Sequence, residues 1–314
     1  MVEDSSAVRD DEQNQSNVGA RLIRWVIKWI ELVIIRLNME DKLSLLLKRF
    51  SLSAGVFYAG QLCGVHQFEQ DPTQGHVHLI KRGPVQLIEA DGVVSVIDEP
   101  TLIFMPRPDA HRLLTDERQG AEVVCANILF GIGGSNPITS SLPAVVLVKL
   151  ADLPGAQALL SLLDEEAFTA QPGRQAALDR LCEVLMIRLL RHCLAHGLTQ
   201  SGTLAGLADP KLSKALGAIH AHPEQSWPLA ELAAVAGMSR ARFAAQFRKV
   251  TGHTPADYHA AWRVLVAQDL LRSGRALQHV ALEVGYGSVA AFSRVFARKV
   301  GQTPTVWRAS ASIP

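Results

Sequence analysis

The feature that most constrains this chain is a repeat in its last third. Residues 229–255 read LAELAAVAGMSRARFAAQFRKVTGHTP, and residues 280–304 read VALEVGYGSVAAFSRVFARKVGQTP. Aligned on glycine and phenylalanine, each copy runs through a short apolar stretch, a Gly (Gly237; Gly285), a Ser (Ser239; Ser288) and two Phe four residues apart (Phe243 and Phe247; Phe292 and Phe296). Each then ends in a Gly and a Thr-Pro pair (Gly252, Thr254-Pro255; Gly301, Thr303-Pro304). Such a unit reads as helix, tight turn, helix.

Leu229, Leu232, Ala233 and Ala236 put small apolar side chains on one face of a first helix, Gly237 permits the sharp turn, and Ser239 is placed to cap the next helix. Phe243 and Phe247 share a buried face by their i, i+4 spacing, so Arg240, Arg242, Arg248 and Lys249 point elsewhere. In the second copy Phe292 and Phe296 repeat the pair, while Arg294, Arg298 and Lys299 repeat the basic side. Gly252 and Gly301 stop the helices, with Pro three residues on. Between the copies, residues 255–273 predict one helix with Pro at its start and Ala256, Tyr258, Trp262, Leu265, Val266 and Leu270 as apolar positions. Its length of about 28 Å at ~1.5 Å per residue is close to the ~34 Å turn of B-DNA, so two reading helices could enter successive major grooves on one face.

These residues resemble the AraC-type bipartite helix-turn-helix domain of bacterial transcription regulators, over about Asp209 to Arg308. The likeness rests on GMSRARF, the F-x-x-x-F-x-x-x-x-G-x-T-P end of each copy, Trp262-Arg263 in the linker helix, and GYGSVAAFSRVF. It implies double-stranded DNA as partner, RNA polymerase as a further partner, activation as the mode, and no catalytic residues. The DNA-facing set it implies is Ser239, Arg240, Ala241, Arg242, Ala244, Ala245, Arg248 and Lys249, then Ser288, Val289, Ala290, Ala291, Ser293, Arg294, Arg298 and Lys299. One departure matters: Ala241, Ala244 and Ala245 occupy the base-contacting face of the first reading helix, where they can meet a thymine methyl but cannot hydrogen-bond a base edge.

Charge is divided as such a module requires. The 314 residues carry a net charge of +1, yet from Lys211 onward there are 13 Lys+Arg against 5 Asp+Glu, leaving 18 and 25 before it. A basic nucleic-acid-binding part is therefore expected to follow an acidic part that does not bind. Hydrophobic content of 48% and charged content of 19% predict globular domains, about two for this length. Cys63, Cys125, Cys182 and Cys193 show no C-x-x-C spacing, and no cleavable secretory signal is seen, so a reducing cytoplasm is the expected location.

Residues 1–20 are polar and acidic and read as a disordered leader; Leu22, Val26, Trp29, Val33 and Leu37 then form an apolar stripe too short and charge-interrupted to span a bilayer. Together 1–38 read as a leader or an upstream extension of a start at Met39. Residues 39–150 change to short alternating runs: HVHLIKRG, PVQLIEADG, VVSVIDEP, TLIFMPRPDAH and AEVVCANILFG are strand candidates, and Glu89-Ala90-Asp91-Gly92 a hairpin turn with positive φ at the Asp-Gly pair. This stretch resembles the cupin-like sensor domain that precedes AraC-type domains in part of the family. The expected fold class is therefore α+β: a cupin-like β-barrel, helices over 151–200, a Gly/Ser/Thr-rich linker at 201–209, and an all-α domain over 210–310. In the helices, Leu178, Leu181, Leu185, Leu189 and Cys193 form one stripe, and by the family resemblance this region is expected to pair two chains into a homodimer.

His76, His78 and His111 fall where metal-binding cupins carry imidazole ligands. No Glu follows His78 at the spacing those enzymes use, Arg82 and Gly83 standing there instead, so histidines hydrogen-bonded within a barrel are expected, with neither metal nor other cofactor. Cys63 in GQLCG and Cys125 in an apolar strand form a candidate redox pair, Cys63 as sensor and Cys125 as resolver, provided their Cα atoms come within ~7 Å. Two functions follow: a DNA-binding regulator with a sensing barrel, or a cupin-type metalloenzyme with an accessory helical domain. The missing Glu, and GIGGSN without the Lys-Ser/Thr end of a phosphate loop, favour the first.

Overall fold

The computed structural model describes residues 41–70, 73–107, 109–131, 136–169 and 171–311. The leader, the stripe at 22–37 and most of GIGGSN lie outside them. The described chain divides at Leu45/Leu46; the second part carries everything discussed below. The helix α1 (Lys42–Arg49) leads to nine strands: β1 (Leu52–Leu62), β2 (Val65–Phe68), β3 (Gly75–Arg82), β4 (Val85–Glu89), β5 (Val94–Ile97), β6 (Thr101–Met105), β7 (His111–Leu114), β8 (Ala121–Phe130) and β9 (Val146–Lys149). They form two antiparallel sheets, ordered β1-β8-β3-β6-β9 and β2-β7-β4-β5.

Alternation decides which face each strand buries. In β4, Val85 and Leu87 point inward and Gln86 outward, whereas every residue of β6 is buried, as expected of a strand covered on both sides. Leu62, Ile80, Val85, Leu87, Ile103, Met105, Leu113 and Val123 fill the space between the sheets. The five strand candidates all appear, the fourth divided into β6 and β7. At the hairpin only Gly92 has positive φ (88°), Asp91 does not, and the loop closes through Gly92 N to Glu89 O (3.0 Å) and Glu89 N to Val93 O (2.9 Å). That is the longer, bulged connection with one left-handed residue, not the two-residue turn that needs two.

α2 (Ala156–Phe168) and α3 (Arg174–Ala195) follow. α3 lies along β1, where Asp179 accepts from Val56 N (2.8 Å) and Gln175 donates to Val56 O (2.8 Å). Its buried residues include Leu178, Cys182, Leu185, Met186, Leu189 and Cys193, so the stripe is turned slightly from the expected one and Leu181 stands at its edge.

The expected linker is instead a packed element. Residues 203–208 form α4 (Thr203–Ala208), with Thr203, Leu204 and Gly206 buried. Leu204 N donates to Ser141 Oγ (3.2 Å) and Gln200 N to Ser141 O (2.8 Å), while Gly202 N reaches Val250 O (3.0 Å). Glycine here serves close approach rather than slack: a Cβ at Gly206 would stand 2.4 Å from Leu216 Cδ1. The all-α part continues through α5 (Leu212–Ala221), α6 (Leu229–Val235), α7 (Arg240–Thr251), α8 (Pro255–Arg272), α9 (Leu277–Glu283), α10 (Val289–Val300) and α11 (Pro304–Ala311).

Candidate nucleic-acid interface

The two sequence copies fold into two helix-turn-helix units, α6-α7 and α9-α10, joined by α8. Gly237 (φ 62°) and Gly285 (φ 82°) make the turns, with Met238 N to Ala233 O (2.9 Å) and Tyr286 N to Ala281 O (2.8 Å) closing them alike. Capping differs between the copies. Ser288 Oγ accepts from Ala291 N at 3.2 Å, whereas Ser239 occupies the cap position of α7 without a side-chain bond. The expected cap is thus correct in place but made in one copy alone. Gly252 and Gly301 end α7 and α10 with φ of 78° and 84°.

Phe243 and Phe247, and Phe292 and Phe296, are fully buried pairs with ring centroids 5.4 and 5.5 Å apart. Truncating such a phenylalanine typically costs about 3–5 kcal/mol. Each pair is closed by an aromatic ring three residues after the Thr-Pro: Tyr258 against Phe247 (5.5 Å) and Trp307 against Phe296 (5.8 Å). The repeat therefore extends into α11, which repeats the start of α8. T-P-x-x-aromatic was the signal that would have found it, as TPADY and TPTVW.

On the opposite faces Arg240, Ala241, Arg242, Ala245, Arg248 and Lys249 are exposed and Ala244 half-buried. Ser288, Ala290, Arg294 and Arg298 are exposed on the second unit, with Val289, Ala291 and Ser293 half-buried between them. Lys299 is the exception: its Nζ lies 3.9 Å from Asp257 on α8, and its side chain is 28% exposed. The linker helix buries Tyr258, His259, Trp262, Val264, Val266, Ala267 and Leu271, while Ala256 is exposed and Leu265 and Leu270 are half-buried.

What fixes the angle between the two units is Arg263. Its guanidinium donates to Pro223 O (2.6 Å), Glu224 O (2.9 Å), Gln225 O (3.0 Å) and Gly285 O (3.3 Å), and lies 5.3 Å from the Tyr286 ring. One planar fork on α8 thus binds the backbone ahead of the first unit and the turn of the second.

The barrel histidines form a hydrogen-bonded chain. His111 Nδ1 lies 3.0 Å from Asp109 O, an acceptor only, so Nδ1 carries the proton and Nε2 accepts. His78 Nε2 then donates to it at 2.7 Å, leaving His78 Nδ1 to accept from the Cys125 thiol at 3.1 Å. Every group in the chain is neutral. Burial and the neighbouring imidazoles push the His78 pKa well below the usual range, burial brings His111 to about 4, and burial raises the Cys125 thiol to about 12. His76 stands beside them, its ring 5.2 Å from that of His111. Among the described residues no group of three or more His, Cys, Asp and Glu has the geometry to hold a metal ion.

The cysteine pair does not meet. Tyr58 pairs with Cys125 across β1 and β8, and Cys63 lies five residues further along the chain, beyond the Leu62 and Ala121 pair. At ~3.3 Å per residue that is about 16 Å, against a limit of ~7 Å for a disulfide. Cys63 is exposed and Cys125 buried. The sensor and resolver reading is corrected on this register.

Comparison with known proteins agrees with this architecture. Residues 41–195 match a family model described as Cupin, and residues 232–310 one described as Helix-turn-helix domain. A Streptomyces lividans protein whose name places it among AraC-like transcription regulators is 31% identical over 306 residues, 88% of this chain and 99% of its own. The RCS-specific HTH-type transcriptional activator RclR of Escherichia coli is 26% identical over 235 residues, 74% of this chain and 83% of its own. The crystal structure of the DNA-binding domain of AdpA in complex with a target DNA is 35% identical over 32% of this chain and 92% of that one, with a TM-score of 0.31. The chain belongs to the AraC family of transcription regulators, in the group that carries a cupin domain ahead of the helix-turn-helix domain. It is a DNA-binding regulator, and its relatives are regulators rather than enzymes. No helix among the described residues is long and apolar enough to cross a membrane.

Proposed function

We propose that the chain activates transcription by laying α7 and α10 into successive major grooves, with unequal roles. The carrying observation is the chemistry of the two exposed faces. α7 offers Ala241, Ala244 and Ala245 between arginines, suited to phosphate contact and thymine methyls, whereas α10 offers Arg294 among small side chains, suited to a bidentate contact with guanine. α7 therefore docks and α10 reads. Activation is supported by the name of the Escherichia coli relative and requires RNA polymerase as a partner.

The active form is a homodimer built on α2 and α3. Leu162 and Phe168 on α2 and Val184 on α3 are exposed at 47, 69 and 42%, apolar surface that a second copy would cover.

The test is selection of binding sites from random duplexes by the full chain and by Arg294→Ala. The variant is expected to lose preference at one base position, by about 1–3 kcal/mol, and to keep the rest of the profile. An unchanged profile removes Arg294 from the base-reading set and the division of labour with it.

A further inference from the structure

A cavity of about 600 Å³ opens where the barrel meets the DNA-binding domain. It lies within the range that holds drug-sized ligands. Four parts of the chain line it: Arg49 and Phe50 ahead of β1, Phe130 at the end of β8, Leu265 and Arg272 on α8, and Lys299 with Trp307 on α10 and α11. The interior between the two sheets is filled by aliphatic side chains, so this junction, not the barrel core, offers the room.

The walls have two kinds of chemistry. Phe50, Phe130, Leu265 and Trp307 make an apolar, largely aromatic body, with Phe50 edge-on to Trp262 at 5.7 Å behind it. Arg49, Arg272 and Lys299 bring positive charge to the same space. Arg49 is 3.8 Å from Asp269 and Lys299 is 3.9 Å from Asp257, both loose pairs at the outer limit of ion-pair contact. Arg272 lies 4.8 Å over the Trp307 ring, and burial lowers its pKa, so its charge is held where water solvates it poorly. A carboxylate entering there would meet a desolvated guanidinium of planar fork geometry beside an aromatic wall.

We propose that this cavity is an effector site for a small carboxylate with a flat apolar body. The carboxylate is held by Arg272 and Arg49, and the body lies between Phe50, Leu265 and Trp307. Because the lining spans the start of the barrel, the linker helix and the second reading helix, a ligand bound there touches both domains at once. Lys299 is drawn toward the ligand's negative charge and away from DNA. Binding and DNA affinity are then coupled, and the coupling is reciprocal. The regulatory half of this inference rests on the DNA-binding reading above; the binding half does not.

The test uses the full chain and 2-naphthoate as probe, with 2-naphthamide as its neutral match, titrated calorimetrically without DNA and then in a DNA-binding assay. The acid is expected to bind and the amide to bind at least about 10-fold more weakly; Arg272→Gln and Arg49→Gln are each expected to lose that preference. Leu265→Trp, which fills the cavity and leaves the charges in place, is expected to abolish binding of both while its melting transition stays cooperative. In the DNA assay saturating acid is expected to weaken binding about 5-fold or more, an effect absent in Leu265→Trp. Equal binding of acid and amide, or binding that survives Leu265→Trp, overturns the site. Binding of the acid with unchanged DNA affinity overturns its regulatory role, and failure of the chain to bind any DNA sinks the regulator reading separately.

Discussion

Arg263 Nη1 lies 3.3 Å from the carbonyl oxygen of Gly285, and a side chain at Gly285 would destroy the arrangement that brings them together. A Cβ there would stand 2.2 Å from Glu224 O and 2.7 Å from Arg263 Nη2, at a φ of 82° that L residues avoid. Gly285→Ala therefore meets backbone on one side and strain on the other, and is expected to cost several kcal/mol in the DNA-binding domain. Arg263→Lys keeps the charge but not the fork, so most of its four backbone contacts go, each charged hydrogen bond having contributed about 1.5–3 kcal/mol. The measurement is affinity for a full two-groove site against a half-site. Arg263→Lys is expected to lose more on the full site; an equal loss on both would mean that Arg263 supports one unit and not the angle between them.

A second prediction concerns acid. His111 has its folded pKa lowered to about 4 from an unfolded value near 6.5, and His78 is lowered as well. Below pH 6.5 the unfolded chain takes up protons that the folded chain refuses, so stability is whole above about 6.5 and falls as pH drops toward 4. For His111 alone the loss is on the order of 3 kcal/mol. Denaturant melts between pH 7.5 and 4.5 should show this slope, and His111→Gln should flatten it. A profile level down to pH 4.5 would mean that the histidine chain is not buried and neutral.

The repeat, its turns and the linker helix were legible because glycine, paired phenylalanine and Thr-Pro recur at fixed spacing and each has one local meaning. The alternation of β3 to β8 was legible for the same reason. β1 was not: LSAGVFYAGQL holds two glycines and two alanines, and what makes it a strand is pairing with β8 and cover from α3. Nor was α4, where composition suggested slack and packing against Leu216 and Ser141 prevails. The distance between Cys63 and Cys125 depends on strand register across residues over sixty apart in sequence, which no local pattern carries. The same holds for Lys299 and Asp257, whose meeting requires α10 to return onto α8.

The thiols differ enough to be told apart chemically. Burial raises Cys125 and Cys182 to about 12 and Cys193 to about 11, leaving almost no thiolate at neutral pH, while Cys63 is exposed. Iodoacetamide on the native chain is expected to add one label, lost in Cys63→Ser, with the other three appearing on unfolding. Under oxidant no Cys63 to Cys125 disulfide is expected in the folded chain. Peptide mapping that found this bond at a rate faster than global unfolding would show that the register of β1 and β8 opens.

The basic residues should divide in the same way when salt is varied. Arg240, Arg242, Arg248 and Lys249 are exposed beside α7, so each that meets a phosphate releases about one counterion. Replacing any one by Ala is expected to lower affinity for all sequences and flatten the dependence of log K on log salt by about 0.9. Lys299 stands differently, because its charge already faces Asp257 at 3.9 Å. Binding a phosphate requires that contact to be given up, so Lys299→Ala should flatten the slope by clearly less, and Asp257→Asn should strengthen DNA binding at low salt. Equal slopes for Lys299→Ala and Arg248→Ala would place Lys299 fully on the DNA and make the contact with Asp257 irrelevant to docking.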